Sequence, residues 1–418
     1  MESASSRRLP FAALRHRDFR LLWGGQVVSI AGSQMQVVAL HVQFYRLAQQ
    51  IPGANPALYL GLIGLMQLLP LLILGLGAGV LADRFDRRSV MLVTQSLMMG
   101  FSVALAALTW LDMISLPVLY VIVALTFATR TFDTPSRQAL VPALVPRETL
   151  PNALSLNMIA WQFGHIVGPA LGGLLVAETS IALIYGLDAL SFGAVLLSLL
   201  LMRHRHTPPP PTRGSPATAV RGSVLEGLRF VWGSPIILST MLLDFVATFF
   251  GAAMTLLPLF ADQILRVDAR GLGLMYAAPA VGALGAALVM STLGQVRNQG
   301  KTVLVSVVIY GLATAVFGVS RWLPLTLLAL AGTGAADTVS AVLRGTIRQI
   351  ATPDQLRGRA TSVNMIFFQG GPLLGEFEAG LAATLLGAPL AVGLGGLACV
   401  LATLVIAWRV PTLRRHDI

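Results

Sequence analysis

Charged side chains within long apolar stretches are the residues of this chain best suited to carry chemistry. Arg130 and Asp133 lie three positions apart in one such stretch and would share a helix face. Glu376 and Glu378 lie two positions apart in another and would point to different faces of a helix. A charge buried in lipid is costly and usually marks an ion or substrate pathway. These residues are therefore candidates for binding and releasing a proton.

The arginine–aspartate pair suggests one way of coupling a proton to movement. Pairing with Arg130 would keep Asp133 ionised, and protonation would break the pair. The alternative is a permanent ion pair that only holds the helices together. Asp337 occupies the position of Asp133 in an internal repeat, with Arg344 seven residues further along the same face. Asp337 is therefore the counterpart candidate in the second half of the chain.

The two glutamates offer a second way. Glu376 shares a helix stripe with Gln369 and Pro372, so we expect it, rather than Glu378, to face a cavity. A carboxyl group shielded from water can bind and release a proton near neutral pH, as a proton-coupled pump requires. Either glutamate could instead contact a cationic substrate.

Polar residues recur on one face of the first predicted helix, and they suggest a cavity lining. Polar faces in lipid turn toward water or partner groups, so a cavity explains this stripe better than a dimer seam. His165 is more typical of a satisfied interior histidine than of a proton relay. The substrate-cavity candidates are Gln26, Ser29, Ser33, Gln36, Trp161, His165, Asp244 and Gln369.

Composition indicates the solvent in which these residues work. Of 418 residues, 55% are hydrophobic and 11% charged, whereas soluble domains carry about 25% charged residues. This excludes a soluble multidomain enzyme, and continuous apolar runs favour helices over a membrane barrel. The net charge of +11 comes from short arginine clusters without aromatic interleaving, so we expect no nucleic-acid partner. The single cysteine, Cys399, excludes a disulfide framework, and we expect neither a metal site nor a cofactor.

We predict an all-α membrane protein with twelve transmembrane helices. Every second connection is rich in arginine, so the positive-inside rule places both termini in the cytoplasm. The chain divides into residues 1–202, a linker at 203–234 with a proline run and a short interfacial helix, and residues 235–418. The predicted spans are 19–47, 57–81, 88–110, 114–137, 152–177, 181–202, 235–262, 270–292, 300–320, 323–348, 358–386 and 388–409.

Two motifs carry a resemblance to a known superfamily. The loop after the second span has the pattern G-x-x-x-D-R-x-x-R-R, and it would form a cytoplasmic gate with Gly79, Asp83, Arg84, Arg87 and Arg88. The fifth span contains G-x-x-x-G-P-x-x-G-G, formed by Gly164, Gly168, Pro169, Gly172 and Gly173. The chain resembles the major facilitator superfamily, in which the first pattern is a loop signature and the second is typical of antiporting exporters. It departs from the loop signature at Asp86, where glycine is usual.

The closer resemblance is to an enterobactin-exporter-like branch of drug and siderophore exporters. It is carried by stretches such as 142–157, 227–235, 273–285 and 349–364. It implies two pseudo-symmetric six-helix bundles that work by alternating access. We therefore expect a monomeric transporter, not an enzyme, that exports small amphipathic molecules across the inner membrane of a bacterium in exchange for protons. A proton-coupled importer or uniporter, and a non-transporting receptor or lipid-handling protein, are the alternatives. No nucleotide-binding loop is present, which excludes a self-contained ATP-driven pump.

Overall fold

In the computed structural model, the chain forms two groups of six long helices. The structure describes residues 11–203, 226, 228–292, 296–353 and 356–414, with the backbone alone at 75–84, 357–359, 361 and 362. The first group consists of α1 (Arg17–Gln49), α2 (Pro56–Arg84), α3 (Arg87–Trp110), α4 (Leu116–Leu144), α5 (Leu150–Glu178) and α6 (Ile181–Leu201). The second consists of α7 (Pro235–Leu265), α8 (Ala269–Thr292), α9 (Gln299–Val319), α10 (Leu323–Ala351), α11 (Arg357–Leu386) and α12 (Ala388–Arg409).

The prediction of an all-α membrane architecture is confirmed. Eleven helices among the described residues are long and apolar enough to cross a membrane. The twelfth, α11, is 30 residues long but carries Glu376 and Glu378 in its interior. Residues 228–233 are helical ahead of α7, where a short interfacial helix is predicted. The proline run of the linker lies outside the described residues.

One helix of the second group is irregular. The regular part of α7 ends at Phe250, next to Gly251. A 3-10 turn follows at Ala253–Leu256, and a π-helix completes the element at Phe260–Leu265. Irregular backbone inside a membrane is tolerated only where protein or water surrounds it. The second half of α7 therefore belongs to the protein interior, where it meets α1 and α2.

Each group of helices packs mainly within itself. In the first group, α1 packs against α5 and α6, α3 against α4 and α6, and α2 against α4. In the second, α7 packs against α11 and α12, α9 against α10 and α12, and α8 against α10. Two extensive contacts join the groups: α2 with α11, and α5 with α8. The molecule therefore consists of two halves that meet along a seam formed by these four helices.

The apolar core shows that the halves meet at one end. A single cluster of buried residues includes Phe44 and Tyr185 of the first half together with Phe260 and Phe317 of the second. It lies at the end where α1 finishes and α2 begins, which we call the joined end. At the opposite end the core is divided: one cluster lies within the first half, and two others lie within the second. We call this the separated end.

Candidate functional site

The seam brings the backbones of α2 and α11 into direct contact. A Cβ atom at Gly61 would collide with Gly380 and with the carbonyl group of Glu376. A Cβ atom at Gly64 would collide with the carbonyl group of Leu373 and with the Glu376 side chain. Small residues permit such close approach of membrane helices. Glycine on α2 thus determines how near Glu376 lies to the first half.

The glycine motif of α5 has a similar packing role. Gly164, Gly168 and Gly172 form one face against α1, where a Cβ atom would meet Ile30, Gln34 or Met35. Gly173 points the other way, and its backbone lies directly against Gly273 of α8. The motif therefore ties α5 both to its own half and to the other half across the seam.

Polar contacts cross the seam at the joined end. The hydroxyl group of Tyr45 donates to Asp262 Oδ2 over 2.6 Å, and Gln49 Nε2 donates to the same oxygen over 3.0 Å. Deeper in the seam, His41 Nδ1 lies 3.2 Å from the hydroxyl oxygen of Tyr276. Within the described part of the chain, all side-chain hydrogen bonds between the halves lie at this end, including the pair Arg270–Glu178 at 2.7 Å.

Glu376 lies inside this seam. Its side chain faces Gly64 of α2, and Thr255 of α7 lies beside its carboxyl group. Tyr276 of α8 is within electrostatic reach. Its Oε2 atom and Thr255 Oγ1 are both buried without a hydrogen-bond partner among the described residues. A buried carboxyl oxygen without a partner is energetically costly.

Glu378 and Gln369 lie elsewhere on α11. Glu378 is partly buried and makes no hydrogen bond within the described residues, and it is two positions removed from the face of Glu376. Gln369 is partly buried and lies seven positions, or about two turns, before Glu376 on the same stripe of the helix. Neither residue contacts the seam groups named above in the part of the chain that the structure describes.

Asp133 is paired, but its partner differs from the expected one. The side chain of Asp133 is buried and lies 3.4 Å from Arg137, the residue one turn further along α4. It also accepts hydrogen bonds from Thr94 at 2.8 Å and Gln95 at 2.9 Å, both on α3. The pairing with Arg130 is therefore corrected to Arg137. Three residues of spacing permit a contact on a helix, and four permit it equally.

Arg130 faces a different part of the first half. It is within electrostatic reach of Asp188 of α6 and of His165 of α5. It has no ion pair or hydrogen bond in the part of the chain that the structure describes. His165 stacks on Trp161 at 3.9 Å, hydrogen-bonds the Trp161 carbonyl group and lies 2.9 Å from Gln34 Nε2. Arg130, Trp161 and His165 thus form a cationic and aromatic wall.

The polar stripe of α1 faces the interior of the first half. Gln36 Nε2 donates to Ser102 of α3 over 2.8 Å, and Ser102 donates to Asp188 over 2.7 Å. Ser33 donates to the other oxygen of Asp188 over 3.3 Å. Gln26 and Ser29 are buried on the same face. Ser33 and Gln36 of the stripe therefore contact α6 and α3.

The second half contains a buried charge cluster. Arg344 Nη2 lies 2.7 Å from Asp244 of α7 and 3.6 Å from Asp337. The Arg344 side chain is only 2% exposed, whereas that of Asp337 is 48% exposed. Asp244, a predicted cavity residue, is thus held in an ion pair. Arg344 Nε and Nη1 and the nearby Ser340 Oγ have no partner among the described residues.

Aromatic side chains cluster between α7 and α11. Phe249 stacks on Phe245 at 5.5 Å, and Phe367 meets Phe245 edge-on at 6.2 Å. A small cavity beside them, toward the separated end, is lined partly by Arg348 and Asn364, which are hydrogen-bonded at 2.6 Å. The second half therefore presents an apolar aromatic wall, in contrast to the cationic wall formed by Arg130.

The predicted gate is described only in part. The side chains of Gly79, Asp83 and Arg84 lie outside the described residues. Arg87 donates to the carbonyl group of Ala139 over 2.7 Å, and Arg88 donates to that of Leu200 over 3.2 Å. Asp86 accepts from the backbone and hydroxyl groups of Ser89, so it caps the start of α3. That cap accounts for an aspartate at a position where glycine is usual.

Sequence reasoning missed the residues that join the halves. His41 and Tyr45 lie in the first predicted span, Asp262 in the seventh and Tyr276 in the eighth, so no local spacing links the residues of the two halves. The sequence marks these residues only as polar side chains within apolar runs. The candidate site residues have the same property, so it does not distinguish the two sets. Only the packing of α1 against α7 and α8 identifies them as a group.

A profile match decides the family. The profile of the transmembrane secretion effector family matches residues 8–418, nearly the whole chain. The chain belongs to the transmembrane secretion effector family. Transmembrane secretion effectors are transporters of the major facilitator type, so this multi-pass membrane protein is a transporter and not an enzyme.

Curated relatives agree with this assignment. An enterobactin exporter, EntS, of Shigella boydii serotype 18 is 30% identical over 352 residues, covering 82% of this chain and 80% of the relative. EntS of Shigella boydii serotype 4 is 31% identical over 349 residues, with the same coverage. EntS of Escherichia coli O81 is 30% identical over 352 residues. This secretion effector is thus similar to siderophore exporters over most of its length.

Solved structures confirm the fold. A peptide transporter POT in complex with sulfate superposes with a TM-score of 0.71 at 15% identity, covering 96% of this chain and 95% of that one. An inward-facing bacterial homologue of Spinster gives 0.69 at 13% identity, with 95% of each chain covered. The human organic anion transporter MFSD10 gives 0.62 at 14% identity, covering 93% and 99%. The secretion effector therefore has the major facilitator fold.

Proposed function

We propose that this transporter exports small amphipathic molecules, with siderophores as the leading class, from the cytoplasm in exchange for protons. The observation that carries the proposal is Glu376, whose buried Oε2 atom has no described partner inside the seam between the halves. A carboxyl group at that place can link its protonation to the separation of the halves. The family and the relatives support the transport itself.

The proposed orientation follows from charge. Arg87, Arg88 and Arg137 lie at or near the separated end. The positive-inside rule assigns that end to the cytoplasm. The separated end would then face the cytoplasm, and the joined end would close the molecule to the outside. This is the state in which an exporter collects its substrate.

The proposed substrate class follows from the two walls described above, one in each half. The first half offers the guanidinium group of Arg130, without an ion pair in the described part of the chain, beside the Trp161–His165 stack. The second half offers the Phe245–Phe249–Phe367 cluster. Aromatic faces and a cation together suit a compound with aromatic rings and acidic groups. The enterobactin exporters that this chain resembles make siderophores the first compounds to test.

Proton movement would be coupled to the movement of the halves through the charge on Glu376 in the seam. With Glu376 protonated, the carboxyl group loses its charge and can stay buried between α2 and α11 without a counter-ion. With Glu376 ionised, burial without a partner becomes unfavourable, and the halves would separate at the joined end or bind a positive group there. Alternating access then follows from moving one half against the other around a central site.

The test uses purified protein in proteoliposomes that contain a pH-sensitive dye. A proton gradient is imposed, and enterobactin and the amphipathic cation ethidium are added as separate probes. We expect probe transport against the proton flux, with dissipation of the gradient that depends on the probe. Glu376→Gln should abolish gradient-driven transport, and the matched control Glu378→Gln should retain most of it. Probe movement without proton flux in the wild type would contradict antiport.

A further inference from the structure

We propose that a pocket in the second half binds the acidic group of an aromatic substrate before export, an inference that rests on the proposed function. The pocket lies between α7, α10 and α11, toward the separated end, and has a volume of about 180 Å³. Pockets that enclose a whole drug-sized ligand measure about 300–1,000 Å³, so this one has room for a single ring of a larger compound. In the proposed orientation, a compound that leaves the cytoplasm meets the pocket early.

The polar side chains of the pocket present hydrogen-bond donors. Arg348 Nη1 donates to Asn364 Oδ1 over 2.6 Å, and both residues line the pocket. Because this bond uses the amide oxygen of Asn364, the two hydrogens on its Nδ2 atom are left as donors. A guanidinium group has five N–H donors and no acceptor, and the Arg348 side chain makes no other hydrogen bond among the described residues. The pair therefore suits a ligand that accepts hydrogen bonds and carries negative charge.

The charge on Arg348 has no carboxylate partner at bonding distance. Arg344, one turn earlier on α10, lies 2.7 Å from Asp244 and 3.6 Å from Asp337. Asp244 is also within electrostatic reach of Arg348, but beyond ion-pair distance. Within the described part of the chain, Arg348 has no ion pair and no acidic residue lines the pocket. An anion in the pocket would supply the counter-ion that this partly buried cation lacks.

Helix α7 supplies an apolar side of the pocket. Ile237 and Met241 lie one turn apart on this helix, line the pocket and are 0% and 1% exposed. They belong to an apolar cluster against which Phe367 of α11 packs. A methionine side chain adapts its shape and makes favourable contacts with aromatic rings. An aromatic ring that carries a carboxylate would thus match both the apolar and the cationic side of the pocket.

A glycine keeps the pocket open. Gly345 lines the pocket on the same helix as Arg348, three positions before it. A Cβ atom at Gly345 would meet nothing within 4 Å, so no neighbouring atom requires a glycine there. Glycine inside a helix lowers its stability relative to alanine. Gly345 is therefore explained by the space that it leaves for a ligand, and it offers a way to fill that space.

The test is direct binding to the purified protein in detergent, measured by calorimetry. The probes are salicylate, an aromatic carboxylate, and salicylamide, which has the same ring without the charge. We expect salicylate to bind, and salicylamide to bind roughly 10-fold or more weakly. Arg348→Gln should weaken salicylate binding about 10-fold or more, because it removes the cation and keeps a donor for Asn364. Arg321→Gln, which alters an exposed arginine just ahead of α10, is the matched control and should change nothing.

A second pair of variants decides the matter even if Arg348→Gln fails to fold. Gly345→Leu fills the pocket and keeps Arg348, so salicylate binding should weaken about 10-fold or more. Gly285→Leu on α8 is the matched control, because a Cβ atom there also meets nothing within 4 Å. It should bind salicylate as the wild type does.

The outcomes separate the pocket from the export on which it rests. Absence of salicylate binding, equal binding of salicylamide, or unchanged binding in Gly345→Leu would each overturn the inference. Binding of inorganic phosphate in place of salicylate would also overturn it, and would assign the pocket to a phosphate group such as that of a lipid. Salicylate binding that Gly345→Leu removes, in a wild type without proton-coupled transport, would support the pocket and refute the proposed function.

Discussion

Asp188 of the first half and Asp244 of the second half are both deeply buried, and they are held by opposite means. In the first half, Asp188 accepts hydrogen bonds from the hydroxyl groups of Ser33, Ser102 and Ser191, and none of the described ion pairs includes it. In the second half, Asp244 is held by the buried guanidinium group of Arg344 at 2.7 Å. The same residue type is thus stabilised by neutral donors on one side and by a fixed charge on the other.

This difference assigns different tasks to the halves. Hydroxyl groups both donate and accept, so the serines can serve Asp188 with or without a proton. An arginine is always charged, so protonation of Asp244 would leave Arg344 with only the more distant Asp337. We infer that the ionic core of the second half is static, and that a proton can enter the interior of the first half at little cost.

Removing the fixed charge is the change expected to have the largest effect. Arg344→Met leaves Asp244 buried without its partner, which should lower the free energy of unfolding by about 3–5 kcal/mol. The measurement is thermal unfolding in detergent. Arg137→Met is the matched control in the first half, because Arg137 is 30% exposed and Asp133 keeps Thr94 and Gln95. Equal losses in both variants would contradict the contrast between the halves.

Crowding the seam should have the next largest effect. Gly64→Ala places a methyl group against the Leu373 carbonyl and Glu376, so the joined state should lose about 1–3 kcal/mol. Gly100→Ala is the control, since a Cβ atom there meets nothing within 4 Å. It should stabilise α3 by about 0.5–1 kcal/mol. Distances between spin labels placed on α2 and α11 would report whether the seam opens. We expect Gly64→Ala to lower stability and Gly100→Ala to raise it. Equal changes of stability in the two variants would contradict close packing at the seam.

Replacing Asp188 or Asp244 by asparagine tests directly how each of the two aspartates is held. Asp188→Asn keeps an oxygen for the serine donors, so we expect a loss of about 1–2 kcal/mol. Asp244→Asn should cost more, because it weakens the main partner of Arg344. Unfolding of both variants at pH 6 and pH 8 gives the comparison. A larger loss for Asp188→Asn would show that charge, and not hydrogen bonding, holds the first half.

The smallest effect is expected at the rim of the seam. Glu178→Gln removes the ion pair with Arg270, whose side chains are 55% and 69% exposed. Exposed pairs contribute about 0–1 kcal/mol, so the melting temperature should change little. Substrate transport at low and at 0.5 M salt would check this, since salt screens exposed charges. A strong, salt-dependent loss would make this pair a principal lock between the halves.

Most of the fold could be predicted because lipid imposes a simple rule. Each span needs about 20 apolar residues, and the chain shows them plainly. Even α11 was located, although Glu376 and Glu378 make it more polar. The relation of Asp337 to Arg344 was also foreseen, since seven residues return to the same helix face, and the two side chains lie 3.6 Å apart.

Partners on other helices could not be predicted. Periodicity places Ser33 and Gln36 on one face of α1, but it does not say whether that face meets α6, α3 or a cavity. Asp133 had two arginines within one turn, and the choice between Arg130 and Arg137 depended on how α3 packs. The seam groups His41 and Tyr276 are 235 positions apart, so only the tertiary structure unites them.

The glycine contacts between α2 and α11 and between α5 and α8 also bear on the speed of switching. Where backbone meets backbone, few long side chains have to be ordered when the halves come together or released when they part, so the entropy change per event is small. The joined and the separated arrangement of the halves then differ by little free energy. One proton moving across a gradient of one pH unit supplies about 1.4 kcal/mol, which changes the ratio of the two populations tenfold. Because the halves meet through glycine backbone, one proton can supply enough free energy to switch the transporter between its two arrangements.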